Sequence, residues 1–416
     1  MSATAMLLSD LCDFVGVQVD PSNRADDVYY GLEHVTPGRF VANGEGKASV
    51  VQSSKYAFQP GDVLYGKLRP YLDKAILADR AGICTTELLV LRPKAGVDPR
   101  FLVGLVHAPS FVEHAVAGTT GVQHPRTSWN HISGFELPAF GPEDQSNIAS
   151  LLWQVHDNLA ANETAIEAGA DLKRAAMRVL FTKGLRGEAQ KDTEIGLVPE
   201  SWGVVPLGSL GRVGNGSTPK KTVPAYWAGG TYPWLTSAKV YDREIVKADQ
   251  FVTDLALREC HLPRVEPGSI LIAITGQGKT LGHCAVLRMQ ATINQHVAYV
   301  VTDQRRADPS FLRGYLETQY DYLRQVGSGG GSTKGALTCA FLRSLPVPLP
   351  PSLDEQREIV VVLDAIDRKI DLHQRKRAVL DELFKALLHK LMTGEIRVAD
   401  LDLSALQAGE PEGAAA

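Results

Sequence analysis

The sequence predicts an α+β chain of two similar globular modules, joined by two long helices that pair as an antiparallel coiled coil with pseudo-two-fold symmetry. Three observations predict it. Segments recur at an offset near 210 residues. Each copy opens with short apolar runs broken by Gly and Pro, the pattern of strands and turns. Each copy closes with a helical stretch of about 40 residues, spanning ~60 Å at ~1.5 Å per residue.

The recurrence is specific. "DPRFLVGL" begins at Asp98 and "DPSFLRGY" at Asp308. Gln145, Ile148, Leu152, Leu180, Thr182 and Arg186 return as Gln356, Ile359, Leu363, Leu391, Thr393 and Arg397, always 211 residues on. Pro60-Gly61-Asp62-Val63-Leu64 answers Pro267-Gly268-Ser269-Ile270-Leu271, and Gly118 to Gly121 falls opposite the glycine run at Ser328 to Gly331. This period far exceeds those of solenoid repeats and marks a duplicated half-molecule.

Within each module the apolar runs Val63-Leu64, Leu88–Val90, Ile270–Ile274 and Val297–Val301 read as strands, with helix near Phe101–His107 and Phe311–Tyr322. In the second long helix, Ile359, Leu363, Ile366, Ile370, His373, Arg377, Leu380, Phe384, Leu387 and Leu391 step 4-3-4-3, an a/d seam. The first long helix carries Ile148, Leu152, Val155, Leu159, Asn162 and Ile166, then drifts through Gly169, Lys173 and Ala176 to Leu180. Prolines 142, 350 and 351 precede the helices and Gly184 and Gly394 follow them, as start and stop chemistry requires. Asn162 and His373 occupy matching polar seam positions, a device that fixes register. The expected partition is a first module over 1–141, a helical spacer over 142–187 and a linker over 188–199. A second module follows over 200–350, a second spacer over 351–397, and a disordered tail over 398–416 in which "LDLSALQ" has room for one short turn.

Bulk properties exclude several classes. A chain of 416 residues exceeds one compact core, and 44% apolar with 22% charged residues is ordinary for a soluble protein. "MSATAMLLSDLCDF" lacks the basic start of a secretion signal, and no run approaches the roughly 20 apolar residues of a membrane span. Five cysteines, at 12, 84, 260, 284 and 339, are widely spaced and odd in number, which favours reduced core thiols in a cytoplasmic protein over disulfides or a zinc site. The 11 histidines form no HExxH or spaced cluster. No [DNS]-P-P-[YF] tetrapeptide and no nucleophile–base arrangement is present, so the chain reads as non-catalytic, with no cofactor or metal of its own. The formal net charge of −4 conceals a difference between segments. Residues 1–140 carry 12 Lys/Arg against 14 Asp/Glu, and residues 200–350 carry 16 against 11.

The stretch "ILIAITGQGKT" (270–280) resembles a strand feeding a phosphate loop, but Ala273 stands where G-x-x-x-x-G-K-[ST] needs its first glycine. The matching segment "PGDVLYGKLRPYLDKAIL" has no such loop. What both copies share is cations and polar groups suited to phosphates and base edges.

These residues carry a family resemblance. The approach Leu345-Pro346-Val347-Pro348-Leu349-Pro350-Pro351, then Glu355-Gln356 and Ile359, is similar to the specificity subunits of type I restriction-modification systems. So are the helix endings "TKGLR" and "TGEIR", "TEIGLVPESWGVVPLG" and "GICTTELLVLRPK". The first copy, "GPEDQSNI", departs from the fuller form at Gly141 and Asp144. The resemblance spans residues 1–397. It implies that each module is a target-recognition domain reading half of a bipartite DNA target. The helices would set the gap and dock two methyltransferase (M) subunits and, through them, two restriction (R) subunits. Adenine methylation, S-adenosylmethionine, ATP and Mg would belong to those partners. Changing helix length by whole turns would then change the gap and leave the half-sites alone.

Candidate DNA contacts in the first module are Lys67, Arg69, Tyr71, Lys74, Thr119, Thr120, His124, Arg126, Trp129 and Asn130. In the second they are Lys220, Lys221, Trp234, Thr236, Ser237, Lys239, Thr275, Gln277, Lys279, Thr280, Asn294, Gln295, His296, Ser332, Thr333 and Lys334. Lys and Arg neutralise phosphate, while Arg, Asn and Gln pair with purine edges. The two tryptophans suit a core as well as a contact. Candidate helix-pairing residues are Ile148, Leu152, Val155, Leu159, Ile359, Leu363, Ile366, Ile370, Leu380, Phe384, Leu387 and Leu391. Two other classes fit parts of the pattern: a nucleotide-using modification enzyme with its site at Gly276–Thr280, and a two-headed DNA-binding scaffold outside any restriction system. Nucleotide binding by the chain alone marks the first, and absence of a co-purifying methyltransferase marks the second.

Overall fold

The computed structural model describes residues 5–276, 279–328 and 336–403. The chain forms two compact units, Met1–Thr164 with His373–Ala416, and Ala165–Leu372. The boundaries fall inside the long helices Pro142–Lys183 and Leu353–Met392, so each unit owns half of each helix.

In the first unit a four-stranded antiparallel sheet runs in the order Cys12–Phe14, Leu88–Pro93, Val63–Gly66, Ala75–Leu77. A five-stranded sheet holds Gln18–Val19, Lys55–Phe58, Gly82–Cys84, Val28–Tyr30 and Gly46–Lys47, with Val28–Tyr30 parallel to Gly82–Cys84. Continuous apolar runs form the central strands because both of their faces are buried. Helices Pro99–His107 and Pro109–Ala117 follow. Pro99 starts the first at no cost because its missing N–H would be unsatisfied there, and Asp98 caps it by accepting from the Arg100 N–H at 2.8 Å. Strand Ala5–Leu7 pairs with Glu136–Pro138 and so closes the module just before the long helix.

The second unit repeats this plan. Its main sheet orders Gly211–Asn215, Val297–Thr302, Ile270–Ala273 and Cys284–Leu287, with Glu244–Ile245 added at the edge. A three-stranded sheet joins Gln250–Val252, Tyr232–Leu235 and Thr292–Ile293. Helix Pro309–Thr318 opens on Asp308, which accepts from the N–H groups of Ser310 and Phe311. Gly203–Pro206 pairs with Pro346–Leu349 to close the module. The segment expected as a linker, 188–199, carries a hairpin of Gln190–Thr193 and Gly196–Pro199.

The same glutamine seats each long helix on its module. Gln145 accepts from the Asp98 N–H (3.2 Å) and donates to the Phe140 carbonyl (3.0 Å). Gln356 accepts from the Asp308 N–H (2.7 Å) and donates to the Arg306 carbonyl (3.1 Å). Both side chains are buried, which is why an amide with one acceptor and two donors recurs there. Gly184 and Gly394 end the helices at φ of +60° and +71°, the left-handed C-terminal geometry glycine adopts without strain.

The seam residues serve module cores as well as helix contacts. In the first unit Ile148, Leu152, Val155 and Leu159 share one core with Leu380, Phe384, Leu387 and Leu391 and with Phe101, Leu102 and Leu105 of the module. In the second, Ile359 and Leu363 join Met177, Leu180 and Phe181 against Phe311, Leu312 and Tyr315. A dry pairing of helices alone does not describe them. Ile366 and Ile370 are only half-buried. Gly169 stands where it does because Ile370 inserts against it, and a Cβ there would lie 2.8 Å from Ile370 Cγ1.

Cys12, Cys84 and Cys284 are buried thiols. Burial pushes Cys12 and Cys284 up to about 12 and raises Cys84 further, so they act as small core residues. Among the described residues no helix is long and apolar enough to cross a membrane.

Candidate nucleic-acid interface

Each unit presents its candidate loops at the same place on its main sheet. In the first unit the connection after Val63–Gly66 holds Lys67, Arg69, Tyr71 and Lys74 before the chain re-enters at Ala75–Leu77. In the second, the connection after Ile270–Ala273 holds Thr275, Lys279 and Thr280 before Cys284–Leu287. Both are hairpin connections between antiparallel neighbours. A second segment braces each: Leu68 bridges to Arg126, and Thr275 bridges to Ala336. Arg126 and Ala336 are themselves 210 residues apart, matching the repeat.

In the first unit the brace draws 67–74 and 119–127 into one cluster. The Arg69 N–H donates to the Pro125 carbonyl (2.7 Å), and the Thr127 N–H donates to the Lys67 carbonyl (3.0 Å). Thr120 and Arg126 exchange backbone bonds at 3.0 and 2.9 Å. Arg126 grips Glu87 through Nε (2.9 Å) and Nη2 (3.1 Å), and that hydrogen bond and charge raise its pKa above the ordinary guanidinium value. Lys74 is turned inward, its Nζ donating to the Leu32 carbonyl at 2.6 Å. Thr119 is half-buried and its hydroxyl is spent on the Val116 carbonyl. Tyr71, Thr120, His124 and Asn130 are exposed, Lys67 is half-buried, and Trp129 packs against the module core.

The second unit gathers Thr275, Lys279, Thr280, Gln295 and His296. The Thr275 hydroxyl lies 2.5 Å from His296 Nδ1, and Gln295 touches both Thr218 and His296. Tyr241 OH meets the Thr280 hydroxyl (2.9 Å), and Tyr320 OH donates to the Lys279 carbonyl (2.6 Å). His283 is held between the Tyr241 and Tyr320 rings, each centroid 4.6 Å away, and burial lowers its pKa. Lys220 and Lys221 are exposed, Thr236 and Ser237 are half-buried, and Lys239 is drawn onto Asp249 (2.8 Å), which raises its pKa.

Two candidates are not presented to solvent. Trp234 is a core residue, 4% exposed, standing perpendicular to Trp227 with its Nε1 donating to the Ser217 carbonyl. Asn294 is 6% exposed, and its Oδ1 accepts from the His296 N–H, so it shapes the turn from within. Gln277, Ser332, Thr333 and Lys334 lie outside the described residues. The phosphate-loop alternative lacks its context: the strand turns into an antiparallel neighbour at Cys284, where a phosphate loop would open a helix. No group of His, Cys, Asp and Glu able to hold a metal occurs among the described residues.

Glu87, Tyr241, His283 and Tyr320 hold the loops, and sequence reasoning missed them. Their partners lie about 40 residues away, and no spacing rule links an anchor to a loop over that distance.

Fold and loops together define a class: a duplicated protein whose two modules each offer a braced, cation-bearing hairpin from the same end of the same sheet. Residues 199–382 match the family described as Type I restriction modification DNA specificity domain. The type I restriction enzyme MjaIX specificity subunit of Methanocaldococcus jannaschii is 29% identical over 216 residues, 50% of this chain and 48% of that protein. The aligned part is thus about half of that relative's length. The type I restriction-modification S subunit from M. genitalium superposes with a TM-score of 0.62 at 16% identity, over 94% of this chain and 96% of that one. A chain from a study of complex assembly and conformational transition in a type I R-M system superposes with a TM-score of 0.58 at 21% identity, over 94% and 98%. Residues 199–382 thus match the specificity domain, and the chain is similar to type I restriction enzyme specificity subunits over as much as 83% of its length.

Proposed function

We propose that this chain reads DNA for a type I restriction-modification complex, each module recognising one half of a bipartite double-stranded target. The observation that carries the reading is the equivalent placement of the two braced hairpins. Lys67 and Arg69 in one, and Thr275, Lys279 and Thr280 in the other, occupy the same connection of a duplicated sheet. Cations and amides at a rigid hairpin suit phosphate anchoring and groove contact. The long helices pair antiparallel, set the unread gap between half-sites, and dock two methyltransferase subunits, with two restriction subunits joining through them. Methylation with S-adenosylmethionine, and translocation with ATP and Mg, belong to those partners, and the chain itself acts without catalysis in the cytoplasm.

The test is methylome sequencing of cells expressing the full chain with its methyltransferase, using Lys67→Ala/Arg69→Ala and Lys279→Ala/Thr280→Ala variants. Each variant is expected to relax or lose one half-site and leave the other intact. A variant of one hairpin that alters both half-sites equally overturns the assignment of one half-site to each module.

A further inference from the structure

The hairpin of the first unit contains an unusual piece of backbone. Arg69 and Asp73 sit at φ of +52° and +50°, and among the described residues His261 is the one other non-glycine with positive φ. Between them Pro70–Leu72 makes a tight 3₁₀ turn that carries Tyr71 (54% exposed) and Leu72 (37% exposed) outward. Left-handed backbone at residues other than glycine persists only where surrounding contacts over-determine it.

Those contacts are present. The Leu72 N–H donates to the Arg69 carbonyl (2.8 Å), and the Asp73 N–H donates to the Pro70 carbonyl (3.0 Å). From outside the turn, the Gly38 N–H donates to the Asp73 carbonyl (2.8 Å), and the Arg69 N–H is tied to Pro125. Beneath the turn lies His107, its side chain fully buried. Its Nδ1 is 2.6 Å from Asp73 Oδ1 and its Nε2 is 3.0 Å from the Ala75 carbonyl. Both partners are acceptors, and the ring's tautomer sets which of them it donates to. The close His107–Asp73 contact therefore anchors the turn to helix Pro99–His107.

An apolar tip on a rigid pedestal, among cations, is a costly thing to leave in water. Val122 is fully exposed on the neighbouring loop, and the Arg69 guanidinium joins the loops by donating to the Gln123 carbonyl (3.3 Å). Lys67, Arg69 and His124 supply the flanking groups that draw phosphates close.

We propose that Tyr71 and Leu72 form a wedge that enters the base stack of the half-site read by the first unit, with Asp73 and His107 as positioning residues. Apolar side chains inserted at a base step unstack and bend the duplex, so a rigid mount lets binding energy go into the DNA distortion. The second unit's hairpin is mounted differently, on the Tyr241–His283–Tyr320 stack, so the distortion is confined to one half-site. The proposal rests on the reading of the first unit as a DNA-binding module.

The experiment uses the full chain assembled with its methyltransferase subunits and duplexes of the methylated target, with 2-aminopurine placed in turn along each half-site. Away from the adenines that the methyltransferase subunits extrude, wild type is expected to raise the fluorescence at one step of the first unit's half-site and at none in the other. Tyr71→Ala abolishes that rise and weakens binding roughly tenfold, whereas Tyr71→Phe keeps both, because a wedge needs the ring and not the hydroxyl. Asp73→Asn, which tolerates left-handed backbone, retains binding but reduces the rise. Sequence-specific binding with no unstacking in wild type overturns the wedge alone, as does loss of binding in Tyr71→Phe. Absence of sequence-specific binding by the complex overturns both the wedge and the DNA reading on which it rests.

Discussion

Asn162 and His373 stand 211 residues apart at the same place in the two repeats, and they are bonded to each other: His373 Nδ1 lies 2.9 Å from Asn162 Oδ1. Asn162 is buried, and its amide nitrogen is spent on the Asn158 carbonyl at 2.7 Å. Its oxygen therefore depends on His373. A polar pair in an otherwise apolar contact weakens the association but admits only one register.

Removing one partner of this pair is predicted to cost more than removing both. His373→Leu leaves a buried amide oxygen unsatisfied, at about 1–3 kcal/mol. The double change Asn162→Leu/His373→Leu is expected to recover that loss. A double-mutant cycle read by thermal unfolding checks it, and a double variant that costs the sum of the two singles would exclude the coupling.

The repeat also exposes a divergence. In the second unit Lys173 meets Glu317 (2.5 Å) and Asp367 (3.0 Å), Arg313 meets Glu317 (3.0 Å), and Arg243 meets Asp367 (2.6 Å) and Asp371. Burial opposes the Arg243 charge, but the Asp367 bond and nearby carboxylates outweigh it and raise its pKa. The positions matching Lys173, Asp367, Arg313 and Glu317 in the first unit hold Phe384, His156, Val103 and His107. One junction between module and helices is ionic and the other aromatic. Asp367→Asn is predicted to destabilise by about 3 kcal/mol, because it leaves buried cations under-compensated. Joint replacement of Lys173, Asp367 and Arg313 by apolar residues is expected to cost less, since the first unit packs that way. Urea unfolding of the three forms tests the order.

Much of this was legible in the sequence for a physical reason. Gln145 and Gln356 satisfy the same backbone groups, and Asp98 and Asp308 cap the same helix, so duplication left identical residues wherever a backbone atom needed a partner. The first seam drifts after Ile166, for a reason that spacing alone does not supply. The drift marks Gly169 receiving Ile370 and Lys173 facing Asp367, a complementarity visible only once both helices are side by side. The loops were legible as cation-bearing hairpins. The burial of Trp234 and Asn294 was not, because composition cannot say which face of a turn a side chain takes.

His156 gives the first unit a pH response. It is buried, stacked on Phe40 at 4.9 Å, and its Nε2 accepts from the Phe40 N–H. Burial lowers its pKa, aided by Arg39 and His107, against the opposing pull of exposed Asp157. The folded value thus lies below the unfolded value of about 6.5. The unfolded chain binds more protons in between, so this contribution is complete above pH ~6.5 and is lost as pH falls through the folded value. Thermal unfolding from pH 7 to 5 is predicted to show a shallower decline for His156→Phe than for wild type. Parallel declines would show that His156 is not the group responsible.

Lys67 and Arg126 lie in one loop cluster, yet their charges are differently committed. Arg126 is fastened to Glu87 through two nitrogens, which leaves the pair close to neutral. Among the described residues Lys67 has no carboxylate partner, so its charge is available to a phosphate. Each phosphate contact adds about 0.9 to the slope of log affinity against log salt. Lys67→Ala in the assembled complex is therefore predicted to lower that slope by about 1 while keeping the target preference. Arg126→Ala removes a strut, frees Glu87 to repel the backbone, and is expected to degrade the preference for the first half-site. Binding titrations from low to moderate salt separate the two. If Arg126→Ala lowers the slope by one unit and keeps the preference, Arg126 is a phosphate anchor and the Glu87 pairing yields on binding.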